Sequence, residues 1–172
     1  MGIKWDALFQ YEKKQFEGMT EREKFIYFLL LQYGSPYGWG NENPERSDCS
    51  GAVCMALYAA TGLLIRTTAD DLYKRVFTIQ KPGPGIIRAV FFVKKGVATH
   101  VAGLVDDEAI LNSQEGGARV RSLDRISAWF WNQGQSMAVR GLDRAALVKL
   151  SKEKARYGLD PELSKYFDMS GV

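Results

Sequence analysis

The sequence predicts an α+β fold, and three observations predict it. Helix-compatible segments come first, extended segments follow, and a Pro/Gly turn over Lys81 to Gly85 separates the two regimes. With 172 residues the chain fits one domain, residues 1–142, followed by a charged helical extension over residues 143–172.

Each element has a local reason. Ile3 to Met19 reads as an amphipathic helix, with Trp5, Leu8, Phe9 and Phe16 near one stripe. Thr20-Glu21-Arg22-Glu23 is a capping box, in which Thr20 can cap the backbone and Glu23 can reach back. The helix it starts runs to about Tyr33 and stops at Gly34. Ser35 to Ser47, rich in Gly, Pro, Asn and aromatics, marks an ordered loop. Asp48 is a good N-cap for a helix over Cys49 to Thr61 that ends at Gly62. Ile86–Val93, Ala98–Val105, Ala109–Ser113, Ala118–Arg121 and Ser136–Leu142 read as strands, interrupted by a short helix near Arg125 to Trp131. The tail from Asp143 is charged and helix-prone, with a break from Gly158 to Pro161.

Composition works by exclusion. Apolar residues make up 46% and charged residues 25%, as in a soluble globular protein. A net charge of +3 without a dense basic run makes no case for nucleic acid. The longest apolar run, Phe25 to Leu31, is too short to span a bilayer. Met1 to Thr20 has no apolar h-region and does not read as a signal peptide, so either the protein is made in the cytoplasm or an export signal has been removed from this sequence. A single histidine rules out a His-rich metal cluster, and two cysteines suggest neither a zinc site nor a disulfide scaffold. No metal or cofactor is expected.

Cysteine chemistry needs a thiolate, and the two cysteines differ in setting. Cys49 falls in the first turn of its helix, where free N–H groups and the macrodipole favour a negative sulfur. Cys54 lies in mid-helix among Ala52, Val53, Met55 and Leu57, and reads as core. A buried structural role is the commonest fate of a cysteine. Against it, small polar residues surround Cys49 in Ser47-Asp48-Cys49-Ser50-Gly51. His100 is the one imidazole available as a base. In Ala98-Thr99-His100-Val101-Ala102 it is expected to share a strand face with two small alanines, leaving room beside it. Asn112, on the next strand, is a candidate to hold the imidazole in one tautomer. A three-residue loop pairing Val105 with Ala109 puts residues 100 and 112 on one face; a two-residue Asp106-Asp107 turn puts them on opposite faces. The sequence leaves that register open.

Three blocks resemble the NlpC-type peptidases of bacterial cell walls, which have a papain-like fold with N-terminal helices packed on an antiparallel sheet. Tyr33-Gly34-Ser35-Pro36-Tyr37-Gly38-Trp39-Gly40 looks like the family's aromatic loop, and Asp48-Cys49-Ser50-Gly51 like its nucleophile motif. His100-Val101-Ala102-Gly103-Leu104-Val105 followed by Ile110-Leu111-Asn112-Ser113 looks like its histidine strand and the strand after it. The likeness covers about residues 22 to 142. It implies an acyl-enzyme mechanism with Cys49 as nucleophile, His100 as base and then acid, and Asn112 as the third polar residue. It also implies that Tyr37 lines the site, that Asp48 and Ser50 contact the substrate amine, and that the substrate is a peptidoglycan stem peptide. The chain departs from the pattern at Arg88, where an acidic residue is usual, at Asn41 and at Ala102.

Action at the cell wall without a visible export signal implies a phage or export partner, for which the C-terminal helix is the candidate surface. Two other readings share these residues. One is an amidase or acyltransferase of the same fold with another substrate. The other is a non-catalytic wall-binding module in which Cys49 only packs.

Overall fold

A computed structural model describes residues 18–38, 42–43 and 46–155 of the chain. The helix expected over Ile3 to Met19 lies outside them, except for Gly18 and Met19, which are not helical. Helix α1 (Glu21–Leu31) starts at Thr20, whose Oγ1 accepts from the Glu23 N–H at 3.2 Å. The Glu23 carboxylate in turn accepts the Thr20 hydroxyl at 3.0 Å, so the capping pair is reciprocal through side chains. Two short strands, β1 (Glu42–Asn43) and β2 (Arg46–Ser47), form a hairpin within the expected loop.

Helix α2 (Cys49–Thr61) is capped by Asp48, whose carboxylate accepts from the Gly51 N–H at 2.7 Å, and closes at Gly62 in the left-handed region. It is apolar almost all round and is buried accordingly, from Ala52 to Leu57 without a gap. Gln32 ties α1 to α2, its Nε2 donating to the Ala52 carbonyl at 2.9 Å. A one-turn helix α3 (Ala69–Asp71) widens into a π-helical turn, Leu72–Val76, that the sequence reading does not anticipate. Asp70 there accepts from the Ala98 N–H and from Lys74, fixing the start of the second sheet strand.

The main sheet has five antiparallel strands in the order β6-β5-β4-β3-β7. Its strands are β3 (Arg88–Lys94), β4 (Val97–Leu104), β5 (Ala109–Gln114), β6 (Gly117–Ser122) and β7 (Ser136–Gly141), with helix α4 (Leu123–Trp131) between β6 and β7. These match the expected strands to within about two residues at each end. The β4–β5 connection is the three-residue one: Val105 N–H donates to the Ala109 carbonyl, and Asp106 caps the turn by accepting from Glu108 and Ala109 N–H.

Both faces of the sheet are covered. On one, Ala89, Phe91, Val101 and Leu111 pack with α1, α2 and the π turn into the larger core. On the other, Val90, Phe92, Ala102, Leu104 and Ile110 meet Leu123 and Phe130 of α4. Helix α5 (Arg144–Ala155) joins the larger core through Leu147 and Leu150. No helix among the described residues is long and apolar enough to cross a membrane.

The alternation of faces breaks once. Phe92 pairs with His100 but Val93 pairs with Ala98, so Thr99 is an extra residue in β4. Ala98 therefore falls in the larger core, while His100 points to the α4 face with Ala102 and Phe92. The expectation that His100 shares a face with both alanines holds for Ala102 and fails for Ala98.

Candidate active site

The site forms where β4 and β5 separate. Their ladder consists of Gly103–Leu111 and Leu104–Ile110, whereas β3 pairs with β4 from Val97 to Gly103 around the Thr99 bulge. Before Gly103, β4 has no ladder partner on its β5 side. The Val101 N–H on that side is near enough to the Cys49 sulfur to favour its anion. Gly103 permits the approach of the helices behind it, since a Cβ there would lie 2.3 Å from a Leu29 methyl carbon.

Val101 directly follows His100 on β4. Cys49 comes from the α2 side of the sheet and His100 from the α4 side. The His100 ring lies 5.1 Å from the Phe130 ring and 5.9 Å from Phe92, and these two phenyl rings stack at 4.0 Å. His100 Nε2 is 2.6 Å from Asn112 Oδ1. An amide oxygen only accepts, so Nε2 carries the proton and donates it, leaving Nδ1 with its lone pair. Asn112 is itself 3% exposed, so its amide has few alternatives to protein partners. Its Nδ2 donates to Gln114 Oε1 at 2.6 Å.

Electrostatics set the protonation states. Burial pushes the Cys49 thiol up to about 11, and the Asp48 carboxylate pushes the same way. Hydrogen bonds from the N–H groups of Val101, Ser50 and Cys49 itself pull down without reversing the shift. The N–H groups of the helix start favour the anion, as the sequence suggests, but desolvation outweighs them. Burial also holds His100 below its ordinary value, against the Asn112 hydrogen bond and the charge of Asp48. Both shifts favour the uncharged forms, a thiol and a neutral imidazole.

Tyr37 lies on a loop tied to β6. Gly34 N–H donates to the Ala118 carbonyl at 2.8 Å, and Ala118 N–H to the Ser35 carbonyl at 2.9 Å. Gly117 makes the tie feasible: its φ is +96°, and a Cβ would sit 2.8 Å from the Ser35 oxygen. Burial raises the Tyr37 hydroxyl, followed by the charges of Cys49, Asp48 and Glu115, which places it within electrostatic reach of all three. Tyr37, His100, Ser113, Gln114, Glu115 and Trp129 line an open pocket of about 390 Å³. Asp48 and Ser50 are engaged with each other, the Ser50 hydroxyl donating to the Asp48 carboxylate at 3.1 Å.

Several of these residues are missing from the sequence reading. Gln114 lies two positions after Asn112 on one strand, a period-2 signal that was available. Phe130 and Trp129 carry no such signal, because only the packing of α4 brings them to the histidine. Arg88, the departure from the expected acidic residue, pairs with Asp107 at 2.7 Å across the β4–β5 turn. Among the described residues no group of three His, Cys, Asp or Glu side chains could hold a metal ion.

Comparison with known proteins agrees with this architecture. A model of the NlpC/P60 family matches residues 34–140. The murein DD-endopeptidase MepH of Escherichia coli (strain K12) is 28% identical over 110 residues, 61% of this chain. The chain spans 40% of the length of MepH. The NlpC/p60 domain of the peptidoglycan hydrolase SagA superposes with a TM-score of 0.52 at 23% identity, covering 68% of this chain and 96% of that domain. A lipoprotein-like member of the NLP/P60 family from Staphylococcus aureus superposes with a TM-score of 0.54 at 22% identity, over 70% of this chain and 40% of that one. NlpC1 from Trichomonas vaginalis gives 0.52 at 19%, over 71% and 44%. At these identities the structural likeness is one of fold.

Proposed function

The chain belongs to the NlpC/P60 family, and from that premise we propose that it is a cysteine endopeptidase acting on peptidoglycan stem peptides through an acyl-enzyme. The observation that carries the reading is the pairing of two contacts at the gap between β4 and β5. The Cys49 sulfur lies within electrostatic reach of the Val101 N–H, the residue after His100, and Asn112 holds that imidazole with Nδ1 unprotonated.

With a thiol at about 11, attack requires simultaneous proton removal. The sulfur bonds to the scissile carbonyl carbon as its proton passes to His100 Nδ1, and the carbonyl oxygen takes the electron pair. The Cys49 backbone N–H is the candidate donor to that oxyanion, a type of contact typically worth about 3 kcal/mol. Collapse breaks the C–N bond, and the leaving amine takes the proton from His100. Water then attacks the thioester with His100 again as base, releasing the acid and restoring the thiol. Asn112 keeps the proton on Nε2 and accepts its hydrogen bond in both the neutral and the charged ring. Tyr37 lines the substrate pocket, while Asp48 and Ser50 contribute through the helix cap and the charge felt at the site.

The substrate class rests on relatives: MepH is a murein endopeptidase and SagA a peptidoglycan hydrolase. Action at the cell wall follows from the same likeness. The test is digestion of purified sacculi with the wild-type chain and with Cys49→Ala, followed by mass spectrometry of the released peptides. New peptide termini from the wild type alone support the reading. Intact sacculi with turnover of small acyl amides or esters would transfer the same chemistry to an amidase or acyltransferase.

A further inference from the structure

We propose that Gln114 is a positioning residue for this site, fixing the orientation of the Asn112 amide and, through it, the tautomer of His100. The proposal rests on the reading of Cys49 and His100 as a nucleophile–base pair.

The two ends of a side-chain amide have nearly the same shape and opposite hydrogen-bonding character. If the Asn112 oxygen faces the ring, Nε2 holds the proton and Nδ1 can accept one from the thiol. If the Asn112 NH₂ faces the ring, Nε2 must accept, Nδ1 carries the proton, and the ring has no lone pair to serve as base at that nitrogen. The contact of Asn112 with His100 is equally well made in both arrangements. Something outside the pair must choose between them.

Gln114 is placed to do so. On β5 it follows Asn112 by two residues and so shares its face. Its Oε1 accepts from Asn112 Nδ2 at 2.6 Å, while Asn112 Oδ1 lies 2.6 Å from His100 Nε2. With Gln114 presenting Oε1, only the NH₂ end of Asn112 satisfies it, and the oxygen end faces the ring. Gln114 also lines the pocket, where substrate can reach it. What it supplies is an acceptor at one point, which defines the conservative and the disruptive replacement. Gln114→Glu keeps an acceptor and cannot present a donor when ionised. Gln114→Leu keeps the bulk and removes the acceptor.

The chain has a single histidine, so tag-free protein labelled with ¹⁵N-histidine shows one imidazole in its nitrogen spectrum. At pH 9, with the ring neutral, the wild type is expected to show Nε2–H as its dominant tautomer. Gln114→Leu should move a measurable share to Nδ1–H and lower kcat about fivefold, the size of one hydrogen bond, with KM changed less. Gln114→Glu should keep Nε2–H and restore most of the kcat that the apolar variant loses. Thermal midpoints identify any variant that fails to fold, and Gln114→Met then replaces Gln114→Leu. A wild-type tautomer in the folded apolar variant, or equal losses in the apolar and acidic variants, would overturn the proposal. The tautomer arm needs no substrate. An inactive wild type therefore counts against the endopeptidase reading, while the nitrogen spectrum still decides the role of Gln114.

Discussion

The two faces of the central sheet are both buried, yet they are built for different ends. Towards α1 and α2 the contacts are among aliphatic and phenyl side chains: Phe25, Leu29, Leu57, Phe77 and Phe91 are each at or below 1% exposure, and that face holds the larger core. Towards α4 the core is small, and its edge holds a histidine and an asparagine that are almost as buried. Burial on the first face lowers the free energy of the fold by roughly 25 cal/mol per Å² of apolar surface. Burial on the second favours the neutral form of an imidazole that Asn112 hydrogen-bonds. The same physical effect supports the fold on one side and sets protonation on the other.

The sharpest way to break this division is at the sulfur. Cys49→Ala should abolish hydrolysis of peptidoglycan, a loss of at least about a thousandfold. Cys54→Ala, inside the larger core, should leave kcat within about twofold and cost only stability. Comparable losses of activity in the two variants, measured on digested sacculi, would erase the distinction between the cysteines.

Phenylalanines on the two faces should separate stability from protonation. Phe91→Ala should cost about 3–5 kcal/mol in a denaturant titration. Phe130→Leu should cost closer to 1 kcal/mol but let water reach the imidazole. Its pKa should then rise towards the ordinary value, since burial is the main cause of its depression. A base must be unprotonated, so the acid limb of kcat/KM should move to higher pH in Phe130→Leu and stay in place in Phe91→Leu.

Alkylation tests the neutral thiol. Iodoacetamide should modify Cys49 faster than Cys54, because Cys54 is 2% exposed. In His100→Ala the Cys49 rate near pH 7 should fall, and then climb about tenfold per pH unit towards its own value of about 11. A rate independent of pH between 7 and 10 in that variant would mean that the helix terminus alone holds a thiolate.

The smallest effect is thermodynamic. His100 titrates lower in the folded chain than its ordinary value of 6.5. The unfolded chain therefore binds the proton first as pH falls, and stability contributed by the neutral ring is present above 6.5 and lost below it, down to the folded value. Denaturant midpoints at pH 7.5 and 5.5 should differ in the wild type and converge in His100→Phe.

Much of this arrangement is legible in the residues themselves. Asp48 before an apolar run ending at Gly62 specifies α2, and so puts Cys49 in a first turn, because capping and termination are local hydrogen-bonding problems. The strands follow from β-branched and aromatic runs between turn residues, and the three-block likeness identifies the fold. What the sequence could not decide is what depends on partners distant in the chain. Thr99 is a bulge where Asp70, from another element, holds Ala98 and Phe92 pairs with His100. The β4–β5 register, the aromatic wall from α4 and the desolvation of the thiol arise in the same way. Local preferences select elements over a few residues; the direction a side chain faces, and whether water reaches it, are set by elements that meet only after folding.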